Sequence, residues 1–171
     1  MSNPRTISHS SQRVGVFVDA QNMYHSAKNI FKARVNFKEI LNSAIADRQL
    51  IRAVVYVIRT ESGEEQKFFS ALTKQGFEIK EKDLQIFWGG MKKANWDVGM
   101  AVDAIIMADK LDVVVLVTGD GDFVPLVEYL KVNKGCLVET MAFGESVSRR
   151  LVEASDYFID LSARKNKFLI K

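Results

Sequence analysis

The chain has 171 residues, of which 47% are hydrophobic and 26% are charged, and its formal net charge is +3 at pH 7. This composition fits one globular domain and excludes an intrinsically disordered chain. No apolar run is long enough to cross a bilayer, and the polar N-terminus lacks the apolar segment of a secretory signal, so we expect a cytoplasmic protein without a membrane partner. One cysteine and two histidines exclude an internal disulfide and a zinc site built from Cys/His clusters.

Composition divides the chain into three parts. Residues 1–12 are rich in Ser, Asn and Gln and are predicted to be a flexible leader. Residues 13–161 form the predicted domain, and residues 162–171 form a basic tail that is either disordered or docked on the domain or a partner subunit. The tail carries four positive charges and no acid, which leaves about −1 on the rest. Such a domain is not a basic clamp, so a bound polyanion needs local basic patches or metal ions.

Apolar runs of strand length alternate with helical patterns along the domain. The predicted strands are 14–18, 51–58, 84–88, 113–117, 137–143 and 157–161. The predicted helices are 21–31, 37–46, 64–75, 96–110, 122–133 and 145–153. Because the runs at 14–18 and 113–117 are almost wholly apolar, we expect central strands that are covered on both faces. The alternation predicts an α/β fold with a mainly parallel sheet.

Three acids follow the two most apolar strands. Asp19 ends the first strand, and Asp120 and Asp122 follow the strand at 113–117 in the segment TGDGD. Ligands of open α/β sheets bind at the carboxyl ends of strands where the strand order reverses. If these two strands are neighbours at that reversal, the acids converge, with Gly119 and Gly121 allowing a tight turn between them.

Converging carboxylates repel one another, and a divalent cation removes that cost. Mg²⁺ and Mn²⁺ prefer oxygen ligands, so the placement of the acids suggests such a site. The competing interpretation is local: Asp-Gly pairs are common in turns, and Asp19 or Asp122 can cap the helix that follows. For a single acid we favour the cap, whereas for three acids after two buried strands we favour a site.

The helix at 96–110 carries two further acids on a sequence that is apolar nearly all round, so we expect it to be well buried. Asp97 lies in its first turn, where either the helix dipole or a metal can account for a carboxylate. Asp103 lies among apolar residues in mid-helix and needs a hydrogen-bonding partner. At about 100° per residue the two acids point about 120° apart, so they are not expected to serve one ion equally.

Three stretches share their order and spacing with one known family: FVDAQN at 17–22, KKANWDVGMAVDAI at 92–105 and TGDGDFVPL at 118–126. On these motifs the chain resembles, from about Arg13 to Leu161, the NYN domain family, the LabA-like branch of the PIN-related ribonuclease superfamily. Two positions depart from the family pattern. Gly121 stands where many relatives have Ser, and Ala94 stands where Lys or Gly is frequent.

The resemblance implies a PIN-like, Rossmannoid α/β/α sandwich and a metal-dependent ribonuclease that uses Mg²⁺ or Mn²⁺ to hydrolyse an RNA phosphodiester bond. The family's catalytic and metal-holding acids correspond to Asp19, Asp97, Asp120 and Asp122. Supporting positions correspond to Asn22, Thr118 and Asp103. The implied partner is RNA, with single strands favoured, and a homo-oligomer is left open.

A nuclease must also hold its substrate. We expect Lys92, Lys93 and Arg59 to contact phosphates before other cations do, because they lie near the acid-bearing ends of the predicted elements. Trp88 and Trp96 lie beside the lysines, where an exposed ring would stack on an unpaired base. Surface lysines are more often only solvated, and tryptophans are more often part of the core.

Several other classes remain as alternatives or are excluded. No G-x-G-x-x-G and no G-x-x-x-x-G-K-[ST] motif is present, which disfavours dinucleotide-binding oxidoreductases and P-loop NTPases. Phosphatases of the haloacid-dehalogenase type need a second Asp two residues after the first, and position 21 is Gln. The main alternatives are a non-catalytic RNA-binding or regulatory module and a scaffold for protein partners.

Overall fold

The computed structural model describes residues 7–90 and 92–171. Ten strands are numbered in chain order: β1 Arg13–Asp19, β2 Arg34–Val35, β3 Gln49–Arg59, β4 Glu78–Asp83, β5 Gln85–Ile86, β6 Lys92–Lys93, β7 Val113–Val117, β8 Leu137–Ala142, β9 Tyr157–Asp160 and β10 Leu169–Ile170. Seven α-helices are α1 Ala20–Ser26, α2 Phe37–Ile45, α3 Gln66–Lys74, α4 Asp97–Met107, α5 Val124–Asn133, α6 Arg149–Ala154 and α7 Lys165–Phe168. Shorter helical turns are Ala27–Phe31, Ala108–Lys110, Gly121–Phe123 and Leu161–Arg164.

Six parallel strands form the central sheet in the order β4-β3-β1-β7-β8-β9. β1 and β7 pair directly, from Val14 opposite Val113 to Val18 opposite Val117. The chain builds outward from β1 through β3 to β4, and then returns to β7 and builds outward on the other side. The strand order therefore reverses between β1 and β7, where α/β proteins place their ligands. The predicted α/β fold with a parallel sheet is confirmed.

Helices cover both faces of this sheet. On one face, Met23 of α1, Ile40 of α2 and Leu72 of α3 pack into a core with Val16 of β1. On the other face, α4, α5 and α6 contribute the buried residues Met100, Ala104, Val127, Leu130 and Leu151. Because β1 and β7 are covered on both faces, their side chains must be apolar on both, which explains the two continuous apolar runs.

The strand predicted at 84–88 forms only in part and not in the central sheet, because β5 spans Gln85–Ile86 and belongs to a separate two-stranded sheet. The sheet strand in this region is β4, Glu78–Asp83, which lies at an edge of the sheet beside β3 and carries the polar sequence EIKEKD. An edge strand with charged side chains resists pairing with other chains, so its polarity suits its position. The apolar residues 84–88 instead enter a hairpin formed by β5 and β6, in which Ile86, Phe87 and Trp88 are exposed.

The helix predicted at 96–110 forms, but the expectation that it is well buried is wrong. α4 packs on the sheet through Met100 and Ala104, whereas Val98, Val102 and Ile106 are exposed. These three residues recur every fourth position and so share the outer face of the helix. None of the helices in the described ranges has the length and apolar character needed to span a membrane.

The C-terminal residues pack on the domain. Phe168 is buried in the core beside α2, and its carbonyl accepts a hydrogen bond from the Asn36 amide (2.8 Å). β10 then pairs antiparallel with β2. Of the alternatives expected for residues 162–171, the structure shows docking on the domain itself. Residues 1–6 of the predicted leader lie outside the described residues.

Candidate functional site

Three carboxylates meet at the edge of the sheet formed by the carboxyl ends of its strands. Asp97 comes from the first turn of α4, and Asp120 and Asp122 come from the segment after β7. One oxygen from each lies within 4.8 Å of the others. Asp97 and Asp120 are half-buried, and Asp122 is exposed. Two elements that are separate in the sequence thus present their acids to one position, at the point where the strand order reverses.

The segment after β7 is held in shape by its own hydrogen bonds. The Asp120 amide donates to Thr118 Oγ1 (3.2 Å), and the Asp122 amide donates to Asp120 Oδ1 (2.9 Å). The chain then enters the helical turn Gly121–Phe123, which leads into α5. Asp120 caps this turn with one oxygen and retains the other, so capping and cation binding are compatible for the same side chain.

Asp19 lies beside this cluster at the end of β1. Its Oδ1 accepts a hydrogen bond from the Asn22 amide (3.1 Å) and caps α1, while its Oδ2 accepts one from the Thr118 hydroxyl (3.3 Å). Burial raises the pKa of Asp19 to about 6, and the nearby charges of Asp97 and Asp120 also raise it, against the two hydrogen bonds. Asp19 therefore caps α1, and at the same time burial and the neighbouring acids disfavour the charged form of its carboxyl group.

The pKa of Asp97 is raised as well. Partial burial is the largest cause, followed by the charges of Asp120 and Asp122, while Lys82 lowers the pKa of Asp97. Burial and the repulsion between neighbouring carboxylates therefore both disfavour the charged form of Asp97. A bound cation would relieve that repulsion.

Two glycines allow a second segment to approach the acids closely. A tight helical turn does form at Gly121–Phe123, but neither Gly119 nor Gly121 has a positive φ, so the turn does not depend on the conformational freedom of glycine. A Cβ at Gly119 would lie 3.2 Å from the Val147 Cα, and a Cβ at Gly121 would lie 2.6 Å from the Ser148 Oγ. The Ser148 amide donates to the Gly119 carbonyl (2.9 Å). The hydroxyl of Ser148 therefore occupies the space that a side chain at position 121 would take.

An open cleft of about 560 Å³ extends from the acids along α1. Most of its remaining walls are polar and not acidic: Gln21, Asn22, His25, Ser26, Asn29, Asn95 and Ser146. The Asn22 Oδ1 accepts from the Gly119 amide (2.9 Å), and the Ser146 hydroxyl donates to Ser26 Oγ (3.0 Å), so α1 is joined to the loops after β7 and β8. Amide and hydroxyl groups of this kind can hydrogen-bond both phosphate oxygens and base edges.

Lys82 and Asn95 are site residues that the sequence did not reveal. Lys82 extends from β4, and its Nζ lies 4.4 Å from the centroid of the Trp96 ring and donates to the Asn95 carbonyl (3.0 Å). Asn95 Oδ1 in turn accepts from the Asp97 amide (3.2 Å). The indole of Trp96 donates to the Val57 carbonyl (2.9 Å), which fixes the start of α4 to β3. Lys80 and Lys82 alternate in β4 and therefore lie on one face of the strand. This alternation could have indicated Lys82 only if 78–83 had been recognised as a strand.

Other predicted site residues lie elsewhere or have other partners. Asp103 is not brought into the cluster: its Oδ2 accepts from the Tyr56 hydroxyl (2.8 Å) and from Lys80 Nζ (2.6 Å), on the inner side of α4. Arg59 does end β3 at the expected edge, but it forms ion pairs with Asp83 (2.9 Å) and Glu81 (3.4 Å). These partners offset the charge that was expected to contact phosphate.

The two predicted phosphate-binding lysines are placed only through their backbone. Lys92 and Lys93 form β6 and pair with Ile86 and Gln85 of β5. Their side chains lie outside the described part of the chain. Of the two tryptophans, Trp96 packs against Tyr56 with ring centroids 5.3 Å apart, whereas Trp88 is fully exposed.

The acids at the sheet edge fit a hard divalent cation. All three ligand groups are carboxylates, which Mg²⁺ and Mn²⁺ prefer, and among the described residues no thiol or imidazole joins the cluster. Burial and the charges of Asp120 and Asp122 raise the pKa of Asp97, and a bound cation would favour its charged form. Asp19 retains lone pairs on Oδ2 beside them.

Comparisons with known proteins agree with this architecture. The family model described as "NYN domain" matches residues 13–162. The low amplitude and bright protein LabA of Synechococcus elongatus is 25% identical over 159 residues, which cover 88% of this chain and 84% of that protein. A crystal structure of a Vibrio parahaemolyticus protein of unknown function superposes with a TM-score of 0.86 at 27% identity, over 96% of this chain and 100% of that one.

Proposed function

The chain belongs to the NYN domain family, and from that membership we propose that it is a metal-dependent ribonuclease that hydrolyses RNA phosphodiester bonds at the acidic cleft. The observation that carries the proposal is the meeting of three carboxylates from α4 and the β7 loop within 4.8 Å, at the reversal of the strand order. The family points to RNA, and the acids supply the chemistry that phosphodiester hydrolysis needs.

In the proposed site, Asp97, Asp120 and Asp122 hold Mg²⁺ or Mn²⁺, with Asp19 as an adjoining fourth carboxylate. A cation bound there would polarise a phosphoryl oxygen and help to activate the attacking water. Thr118 holds two of the acids in register, because its hydroxyl donates to Asp19 and accepts from the Asp120 amide. Asn22 fixes the start of the same loop through the Gly119 amide.

The rest of the cleft would bind the strand on either side of the scissile phosphate. Its neutral amide and hydroxyl walls avoid adding negative charge beside a polyanion, apart from Glu145 at the margin. Lys82 lies near enough to Asp97 to lower its pKa, so we propose Lys82 as a phosphate contact. We favour it over Arg59, which is held in ion pairs. Lys92 and Lys93 remain proposed phosphate contacts on the adjoining hairpin.

The proposal is tested with purified protein and end-labelled single-stranded RNA in Mn²⁺, in Mg²⁺ and in EDTA, beside the Asp120→Asn variant. We expect cleavage that requires the metal and is lost by at least about 100-fold in the variant, since an acid of the cation site is removed. Equal trace cutting by both proteins would indicate contamination and overturn the enzymatic proposal. RNA binding without cutting by the wild type would support the non-catalytic RNA-binding module instead.

A further inference from the structure

The hairpin between β4 and α4 presents the largest exposed aromatic group of the described chain. Trp88 is fully exposed, and the adjoining Ile86 and Phe87 are 58% and 46% exposed. Exposed apolar groups of this size next to one another usually mark a binding surface. The sequence motifs and the acidic cluster account for none of these three residues.

The turn of this hairpin places Trp88 at its tip. The Gly90 amide donates to the Phe87 carbonyl (3.0 Å), so Trp88 and Gly89 are the two central residues of the turn. Gly89 has a φ of 89°, as the third residue of a type II turn requires, and Gly90 has a φ of 80°. The indole at the tip of this turn is therefore not covered by any of the described residues.

The hairpin also begins and ends at the edge of the sheet that carries the acids. β4 ends at Asp83, where the Leu84 amide donates to the Arg59 carbonyl (3.1 Å), and β5 starts two residues later. β6 ends at Lys93, four residues before Asp97. The return leg is tied down through Asn95, which accepts from Lys82 and lines the cleft. The return leg of the hairpin therefore leads within a few residues to Asn95 and Asp97, which line the cleft.

From this geometry we propose that Trp88 stacks on an unpaired base of an RNA strand whose backbone passes through the acidic cleft, and that this contact makes the site selective for single strands. Segment 85–93 contains two lysines and no acid, so the ring lies in a positively charged segment. A phosphate chain with unstacked bases matches both features. A second copy of the same hairpin does not, because two positively charged segments repel one another. The inference rests on the proposed RNA substrate, but not on cleavage.

The test measures binding in the Asp120→Asn background with Mn²⁺ present, so that cutting does not interfere. The probes are a fluorescein-labelled 12-nucleotide oligouridine and a 12-base-pair RNA duplex, followed by fluorescence anisotropy. We expect Trp88→Ala to weaken oligouridine binding by about 10-fold, Trp88→Phe to weaken it by about 2-fold, and neither to change duplex binding. Tyr129→Ala, which removes a partly exposed ring from α5, is the matched control and should bind both probes as the parent does.

Tryptophan emission provides a second readout that a structural role would not move. The chain has two tryptophans, and Trp96 is packed under Lys82, so oligouridine should quench the emission of Trp88 and leave the Trp88→Phe variant unaffected.

An unchanged oligouridine Kd for Trp88→Ala, or an equal loss for the duplex, overturns the inference even if the wild type cleaves RNA. If the protein binds neither probe, both this inference and the proposal that the substrate is RNA are overturned. If Trp88→Ala weakens oligouridine binding but the wild type cleaves no RNA, the inference is retained and only the catalytic proposal is overturned. A dimer that Trp88→Ala dissociates in sedimentation, with RNA binding unchanged, would assign the hairpin to self-association.

Discussion

Burial and neighbouring acids both oppose the charge of the Asp19 carboxyl group. The side chain ends a strand that is buried on both faces and lies beside Asp97 and Asp120, so its pKa is raised to about 6. The folded domain therefore loses stability when this group ionises, since the unfolded chain ionises it at a lower pH. Such a cost is typical of sites where function rather than stability selects the residue.

We predict that Asp19→Asn stabilises the metal-free protein at pH 7.5 by about 1–3 kcal/mol, because a shift of one pKa unit is worth about 1.4 kcal/mol. The wild type should lose this amount as the pH rises from about 4 to 6, and the variant should not. Urea unfolding in EDTA between pH 4 and 8 measures the difference. Asp47→Asn, at an exposed turn position with positive φ that Asn also accepts, is the control. Parallel pH profiles for wild type and Asp19→Asn would contradict the prediction.

Gly121 illustrates how one residue depends on a partner that is distant in the sequence. The departure from Ser at this position removes a hydroxyl from the acid loop, but the Ser148 hydroxyl stands 2.6 Å from where a Cβ would be. The structure thus retains a hydroxyl next to the acids, contributed by the segment that precedes α6. A side chain at 121 and a side chain at 148 compete for the same space.

At the scale of the elements, α4 carries two acids with different surroundings. Asp97 begins the helix at the cluster, and Asp103 lies six residues, or about 1.7 turns, further on, against the sheet. The hydroxyl of Tyr56 and the ammonium of Lys80 satisfy Asp103 and join α4 to β3 and β4. The angular separation that the sequence predicts for the two acids is what sends them to different partners.

We predict that Asp103→Asn and Asp97→Asn have opposite effects. Asp103→Asn should lower the free energy of unfolding by about 1–2 kcal/mol, because hydrogen bonds to a charged, partly buried acceptor are weakened, and should leave Mn²⁺ affinity unchanged. Asp97→Asn should not destabilise the protein and should lower Mn²⁺ affinity at least about 10-fold, since it removes one of three carboxylates. Urea unfolding and calorimetric Mn²⁺ titration measure the two effects. Loss of Mn²⁺ affinity in a folded Asp103→Asn protein would place Asp103 in the site after all.

At the scale of the whole molecule, a buried ion pair ties distant parts of the domain together. Arg48 lies in the turn between α2 and β3 and makes two hydrogen bonds of 2.9 Å to Glu139 of β8, with side-chain exposures of 1% and 3%. Arg48 also donates to the carbonyls of Ala44 (2.8 Å) and Ile45 (3.1 Å) at the end of α2. The pair thus connects the two halves of the sheet that meet at β1 and β7.

We predict that Arg48→Met lowers the free energy of unfolding by about 3–5 kcal/mol, because it removes the guanidinium that makes two hydrogen bonds to the buried Glu139 carboxylate and two to the carbonyls at the end of α2. The double variant Arg48→Met/Glu139→Leu should be more stable than the single variant, since it also removes the carboxylate that Arg48 binds in the buried pair. Urea denaturation at pH 7 compares the two with the wild type. A loss below about 1 kcal/mol in the single variant, or a double variant less stable than the single one, would show that the pair does not act in this way.

The sequence predicts those features of this protein that depend only on whether each residue is buried, whichever segment covers it. A strand covered on both faces must be apolar throughout, so 14–18 and 113–117 are recognisable as central strands, and the acids that follow them stand out. The three motifs add the family and its expected acids because their residues are close together in the chain. The fold class and the identity of the acid-bearing loops follow from these local signals.

Other features depend on contacts between segments that no local pattern connects. β4 is polar because it lies at an edge of the sheet, so apolar periodicity selects 84–88 instead and misses both the strand and Lys82. Ser146 and Ser148 reach the acids through the loop after β8, and Asp103 turns to Tyr56 and Lys80. The exposure of Trp88 likewise follows from a hairpin that stands off the domain. Strand order and loop packing decide these positions, because free energies of pairing and burial belong to the pairs of segments and not to either one alone.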